Sequence, residues 1–422
     1  MTGEKMASTK LAVVELPSPS KEWSFLLRKD IAGLNLFKRL ILTLQKTGLE
    51  KFLILSRNLP EHERCKAEND LKNDNRFKSQ LHWLDKPDGL DGEGWNKIEP
   101  LAGNTGFLLL RGNIVTSWEV IKDFLTSAEQ SDLSGQEEIA RLSLSNGTSP
   151  DIYLVPSSRI KTLEEFFENR VIQNPMETIF LDGSDYFLES INNTAEARAA
   201  EKSFIQHHKN YYTQFMDVWL NSVFSLRISS LLVKTPLTPN QLTLFGLLIG
   251  FLAGICFAKG DYISGLGGGF LLAFTGILDC CDGDVARLKF MESDFGETLD
   301  TICDNIINIF IFVGIMIGTM KNFGWNYALI PFGFLAIGGT WIFLQIYIPK
   351  GGKGSFFKKS GLYEVILLLA SRNFIYIILL FAVIGRLDWF LWIAGIGSNI
   401  FALTLYLTRK KIRRFPVNSI DN

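Results

Sequence analysis

The chain has 422 residues, a formal net charge of −1 and only four histidines. That length accommodates two or three domains of ~100–200 residues, the balanced charge gives no field for a nucleic-acid partner, and so few scattered histidines exclude an imidazole-rich metal site. The five cysteines, Cys65, Cys256, Cys280, Cys281 and Cys303, form no CxxC pair, so neither a zinc knuckle nor a disulfide framework is indicated; they read as small buried hydrophobes in a reducing compartment.

Residues 1–21 are polar and lack the apolar core of a signal peptide, so the first half is expected on the cytoplasmic side. Short apolar runs at 11–16 and 52–55 flank a segment, 34–47, in which Leu36, Leu40, Ile41 and Leu44 recur at helical spacing before Gly48, a helix stop. An apolar run at 106–110 leads through Arg111-Gly112-Asn113 to a helical stretch at 118–127. This alternation predicts an α/β domain with a mostly parallel, Rossmann-like sheet. Residues 129–150 are polar and Ser/Gly-rich and read as a loop. From 193 to 233 the pattern is helical again, polar first and then aromatic (Tyr211, Tyr212, Phe215, Trp219), as suits a connecting helix that ends along a membrane surface. His207 and His208 are expected on its solvated face.

After residue 235 apolar runs of membrane-spanning length follow one another. Six spans are predicted: 241–258, 262–281, 299–319, 325–348, 362–384 and 390–407. Arg287, Lys289, Lys350, Lys353, Lys358, Lys359 and the basic end from Arg409 fall on one side; Lys259, Lys321 and Arg386 fall on the other. The positive-inside bias therefore places both termini in the cytoplasm, and the expected location is the inner membrane. The expected divisions are a cytoplasmic domain at 1–192, a juxtamembrane connection at 193–235, an all-α six-span domain at 236–410 and a basic tail at 411–422.

Between spans two and three stands Asp279-Cys-Cys-Asp282-Gly283-Asp284-Val-Ala286-Arg287, then eight residues, then Gly296-Glu-Thr-Leu-Asp300-Thr-Ile-Cys-Asp304. Asp279 and Asp282 are three apart and Asp300 and Asp304 four apart, so on helices each pair shares a face. Carboxylates beside hydrocarbon are costly and mark a functional site; a hard divalent cation such as magnesium, bound through oxygen, is the natural compensation. Two such ions would orient a pyrophosphate and neutralise its charge. Gly283 and Gly296 permit close backbone approach, Arg287 offers a planar fork to phosphate, and Asp304 is the candidate general base. An acidic loop of chance spacing would not explain Asp300 and Asp304 entering an apolar span beside Asn305 and Asn308.

These residues match the signature DxxDGxxARx8GxxxDxxxD at all eight fixed positions, and the chain thereby resembles the CDP-alcohol phosphotransferase family. Thr238-Pro239-Asn240-Gln241-Leu-Thr243 is similar to the family's TPNxxT entry, and the resemblance covers about 220–410. It implies that Asp279, Asp282 and Asp300 ligate metal, Mg2+ in two ions with Mn2+ as a substitute, while Asp304 serves as base and touches the second metal. It further implies that Gly283, Ala286, Arg287 and Gly296 line a CDP pocket with Asn240 near it, and that an acceptor hydroxyl attacks the β-phosphoryl group of a CDP-linked lipid donor, releasing CMP. The basic loop 350–359 and Arg372 would hold an acceptor phosphate or serve topology alone; a homodimer is expected, with Gly333, Gly338 and Gly339 permitting close helix contact.

Residues 10–125 resemble a nucleotidyltransferase domain more weakly, best at Ile31-Ala32-Gly33-Leu-Asn-Leu-Phe-Lys38-Arg39. Where that family has a Gly-rich triphosphate loop this chain reads Pro17-Ser-Pro19-Ser-Lys21-Glu22, and prolines bring no N–H donors. Where the family has Gly-Asp for magnesium, Gly112-Asn113 offers a neutral amide, a poorer ligand. The expectation is a non-catalytic domain. Three functions stay in comparison: phosphatidyl transfer from CDP-diacylglycerol to an alcohol or phosphorylated polyol, CDP-inositol-dependent transfer in osmolyte synthesis, and a silent membrane scaffold.

Overall fold

In the computed structural model, which describes residues 9–16, 27–56, 59–85, 100–101, 106–130, 139–145, 150–157, 176–182, 186–347 and 374–414, the apolar runs of the first half are strands. The chain divides into two compact units, Met1–Asn210 with Leu288–Phe290, and Tyr211–Arg287 with Met291–Asn422.

The first unit runs β1 (Leu11–Glu15), β2 (Asp30–Ile31), β3 (Leu34–Asn35), α1 (Leu36–Lys46), β4 (Lys51–Ser56), α2 (Glu61–Lys72), β5 (Gln80–Asp85), β6 (Phe107–Arg111), β7 (Ile114–Thr116), α3 (Trp118–Gln130), β8 (Ile139–Leu144), β9 (Ile152–Val155), β10 (Met176–Leu181), β11 (Leu188–Ser190) and α4 (Thr194–His207). Seven strands make one sheet in the order β10-β8-β9-β6-β1-β4-β5. β1 pairs in parallel with β4 and β6, and β4 with β5, while β9 runs antiparallel to β6 and β8. Leu11, Val13, Leu53, Phe107, Leu109 and Tyr153 meet in its core. β1 and β6 are buried along nearly their whole length, which is why their sequences are continuous apolar runs rather than alternating ones.

Asn35 caps α1 by accepting from the Lys38 amide at 2.8 Å, and Gly48, at φ +99°, ends it in the left-handed conformation that costs glycine nothing. Three expectations need correction. Within 129–150, read as a loop, Ile139–Leu144 is a strand; its six residues are too few to stand out in a polar stretch. His208 is 4% exposed rather than solvated, because its ring stands edge-on to Phe204 one helical turn earlier and shares Nδ1 with the Phe204 carbonyl at 3.0 Å. The predicted 193–233 helix is broken into α4, a π turn at Asp217–Asn221 and a further helix. Residues 17–22, where the altered phosphate loop was read, lie outside the described residues.

A charge cluster holds the end of α2. Asp74 accepts from Lys38 Nζ at 2.5 Å and from Arg76 Nε at 2.7 Å. Burial works against ionisation, but the Arg76 and Lys38 hydrogen bonds win and hold the Asp74 carboxyl well below the usual carboxylate range. A depressed pKa stabilises the fold above the unfolded value and loses that contribution as pH falls through the folded value. Acid titration should therefore weaken this unit from about pH 4 downward, and Asp74→Asn should flatten that part of a stability–pH curve followed by circular dichroism. An unchanged acid limb would show that the cluster does not carry it.

The second unit contains α5 (Ser222–Leu232), α6 (Pro239–Lys259), α7 (Tyr262–Leu288), α8 (Asp294–Phe323), α9 (Trp325–Tyr347), α10 (Phe374–Ile384) and α11 (Leu387–Arg414). Among the described residues five helices, in α6, α7, α8, α9 and α11, are long and apolar enough to cross a membrane, and large apolar side chains such as Leu248, Ile255, Ile309, Ile337, Ile393 and Ile400 face outward from them. This is a multi-pass membrane unit. Of the predicted span at 362–384 only the apolar α10 is described; the rest, with 350–359 and Arg372, lies outside the described residues.

Small residues set the packing of α6 on α8. Gly250 and Gly254 on one helix face Ile307, Phe310 and Gly314 on the other, and a Cβ at Gly314 would overlap the carbonyl oxygen of Gly254. A Cβ at Gly318 would likewise overlap the Phe257 carbonyl. Two small-xxx-small pairs thus bring backbone against backbone, as membrane helices use them. Gly338, expected at a dimer face, is instead filled by Ser398 of α11 within the chain.

Candidate active site

The site forms where α6, α7 and α8 converge at their motif ends. Thr238 starts α6 with a capping box: its hydroxyl accepts from the Gln241 amide at 3.4 Å, the Gln241 side chain accepts from the Thr238 amide at 3.0 Å, and Pro239 takes the first helical position. Ser293 starts α8 by accepting from the Gly296 amide at 3.1 Å. A Cβ on Gly296 would stand 3.2 Å from Asn240 Oδ1, so the bare glycine lets the start of α6 approach the start of α8.

All four motif aspartates lie inside helices, not in a loop: Asp279 and Asp282 on α7, Asp300 and Asp304 on α8. Asp279, Asp282 and Asp300 bring carboxylate oxygens within 4.8 Å of one another. Three hard oxygen donors at that spacing fit a divalent cation of the magnesium type. Asp304 lines the same cavity without joining that closest set. Thr243, one turn into α6, donates to Asp282 Oδ2 at 2.7 Å and leaves the other oxygen to the cluster. Sequence reading noted Thr243 only as part of the TPNxxT entry; its role appears once α6 lies beside α7.

Two cavities meet here. A larger one, about 440 Å³, is lined by Asn240, Gly283, Ala286, Arg287 and Gly296, together with Glu292 and Glu297. A small one, about 30 Å³, lies toward the interior of the bundle between Gly246, Gly276, Asp279, Asp304 and Asn308. Thr243, Asp282 and Asp300 line both and form the wall between them. All nine residues singled out from the sequence therefore fall around one site. Of the polar side chains within the spans, Asn308 lines the small cavity. Asn305 donates to the Thr301 carbonyl of its own helix at 2.7 Å, and Gln345 donates to Ala402 of α11 at 3.0 Å.

Removing the Thr243 hydroxyl tests the orientation of the wall. Thr243→Val should weaken magnesium activation by about 10–100-fold, as for other groups that aim a metal ligand, read as the magnesium concentration giving half-maximal nucleotide binding. An unshifted midpoint would show that Asp282 holds its pose without it.

A carboxylate wall inside a bundle of membrane-length helices, facing a pocket with an arginine, defines a membrane-embedded acidic site of the kind that holds a divalent cation. Residues 236–400 match the family described as CDP-alcohol phosphatidyltransferase, and this part of the chain is a domain of that family. Curated relatives include the bifunctional IPC transferase and DIPP synthase of Aquifex aeolicus, 29% identical over 233 residues, 54% of this chain and 52% of the relative. They also include the archaetidylinositol phosphate synthase of Pyrococcus horikoshii, 38% identical over 92 residues, 22% of this chain and 47% of the relative. The chain thus spans about half the length of these relatives. Among solved structures, HddC from Yersinia pseudotuberculosis is similar at 13% identity and a TM-score of 0.34, covering 46% of this chain and 99% of that one.

Proposed function

We propose that the protein transfers a phosphatidyl-type substituted phosphoryl group from a CDP-linked lipid donor, CDP-diacylglycerol above all, to the hydroxyl of an alcohol or phosphorylated polyol. The observation that carries this reading is the shared wall: Asp282 and Asp300 stand between a nucleotide-sized cavity and a deeper one that contains Asp304. Asp279, Asp282 and Asp300 would hold magnesium, which when bound neutralises charge on the pyrophosphate. Arg287 binds a donor phosphate, while Gly283, Ala286, Gly296 and Asn240 shape the CDP pocket. Asp304 accepts the proton of the acceptor hydroxyl as its oxygen bonds to phosphorus and the bond to CMP breaks.

In this reading the enzyme sits in the inner membrane with both termini cytoplasmic, uses two Mg2+ or Mn2+ ions, and works as a homodimer; Gly333 and Gly339 keep open space beside them. The first unit is a non-catalytic domain, supported by Asn113, whose amide donates to Asn192 at 2.8 Å in the position where the nucleotidyltransferase pattern has a metal-binding Asp. The relatives named as inositol phosphate and IPC enzymes favour an inositol-type acceptor.

The test is CMP release by the purified protein with magnesium. CDP-diacylglycerol is offered with a panel of alcohols and phosphorylated polyols, and CDP-inositol with inositol phosphate. Acceptor-dependent release from CDP-diacylglycerol supports the proposal, and release only from CDP-inositol moves the assignment to the osmolyte reaction. CDP binding without release under any pairing leaves the scaffold reading.

A further inference from the structure

We propose that Asp284, which occupies an unspecified position of the signature, is the positioning residue that holds the Arg287 guanidinium on the wall of the nucleotide cavity. The proposal rests on the reading of Arg287 as a donor-phosphate ligand.

Asp284 is completely buried. A carboxylate in that setting persists only when paired and hydrogen-bonded, and three donors converge on it. Tyr212 Oη donates to Oδ2 at 2.7 Å and Ser229 Oγ to the same oxygen at 2.9 Å, while Arg287 Nη2 reaches Oδ1 at 3.2 Å. The two hydroxyls come from the juxtamembrane segment: Ser229 lies on the buried serine face of α5, and Tyr212 precedes the π turn. Burial beside the carboxylate pushes the Tyr212 phenol well above its ordinary value, so it remains a donor.

Arg287 is held from several directions. It folds back one turn over Gly283, where a Cβ would stand 3.1 Å from Nη2 and 3.4 Å from Nη1, and the Tyr211 ring lies 5.5 Å from its guanidinium carbon. Its Nε is buried with no hydrogen-bond partner among the described residues, while the head of the side chain reaches the cavity lining. Backbone, ring and carboxylate together fix a long side chain that would otherwise lose its rotamer freedom only when phosphate arrives. A tie between α5 and α7 alone would not need a charge. The two hydroxyls would donate equally well to the amide oxygen of an asparagine; the guanidinium is the partner that calls for the negative oxygen.

Asp284→Asn separates the two roles, since it keeps the acceptor for Tyr212 and Ser229 and presents an amide to Arg287. In the full-length protein with magnesium, Asp284→Asn should raise the Kd for CDP about tenfold, the scale of one lost charge-assisted hydrogen bond, with the melting temperature kept. Added to Arg287→Ala it should raise Kd no further, because both act through one group. Additive losses, or a lower melting temperature with CDP affinity unchanged, would overturn the proposal in favour of a structural tie. Should Asp284→Asn not fold, Ser229→Ala, which frees one side of the carboxylate, is expected to raise Kd severalfold, and an unchanged Kd sinks the idea. If Arg287→Ala itself leaves CDP binding untouched, the reading of Arg287 fails and positioning with it. Loss of CMP release with intact CDP binding touches only the function proposed above.

Discussion

Asp304→Asn should leave magnesium-dependent CDP binding intact and lower the rate of CMP release by about 10²–10⁴-fold, the contribution of one positioned general base. Asp304 stands in the small cavity and outside the closest set of three carboxylates, so in the proposed mechanism its loss removes the proton acceptor before it removes a metal ligand. Asp282→Asn should behave differently. Asp282 belongs to that set and to the wall of both cavities, so binding and turnover should fall together. The comparison is made by calorimetric CDP titration beside a CMP-release assay. Equal loss of CDP affinity in the two variants would show that Asp304 is simply another ligand.

The second large effect is on assembly. Gly314→Ala places a methyl group against the Gly254 carbonyl oxygen, and no rotamer relieves a clash between a Cβ and a backbone oxygen. Overpacking of this kind costs about 1–3 kcal/mol, and at roughly 2–4 °C per kcal/mol the melting temperature in detergent should drop by several degrees. Gly397→Ala on α11, with nothing within 4 Å of its added Cβ, is the control and should melt like the parent. CMP release should fall in Gly314→Ala as well, since Asp300 and Asp304 ride on the same helix. A parent-like melting curve would mean that α6 and α8 can separate freely.

The acidic site was legible in sequence because its chemistry is local. Spacings of three and four put Asp279 with Asp282 and Asp300 with Asp304 on single helix faces, and carboxylates in apolar sequence had no cheaper explanation. The supports of the site were not legible. Thr243 is 39 positions from Asp282, and Tyr212 and Ser229 are 72 and 55 from Asp284; nothing in linear spacing joins them. The same holds for Gly338, which looked free for a second copy until Ser398 was found against it. In the first unit the strongly apolar strands declared themselves, whereas Ile139–Leu144 and the break in the 193–233 helix depended on neighbours that sequence does not display.

Under the proposed function the common wall of the two cavities also carries a stereochemical consequence. Along α7 the small cavity takes Gly276 and Asp279 and the large one Gly283, Ala286 and Arg287; along α8 the small one takes Cys303, Asp304 and Ile307 and the large one Ser293, Gly296 and Glu297. On both helices the level of Asp282 and Asp300 separates them. In the proposed reaction a hydroxyl arriving from beside Asp304 and a nucleotide departing past Arg287 would address the transferred phosphorus from opposite faces, the geometry of an in-line displacement. A donor made chiral at that phosphorus would yield product of inverted configuration in a single step.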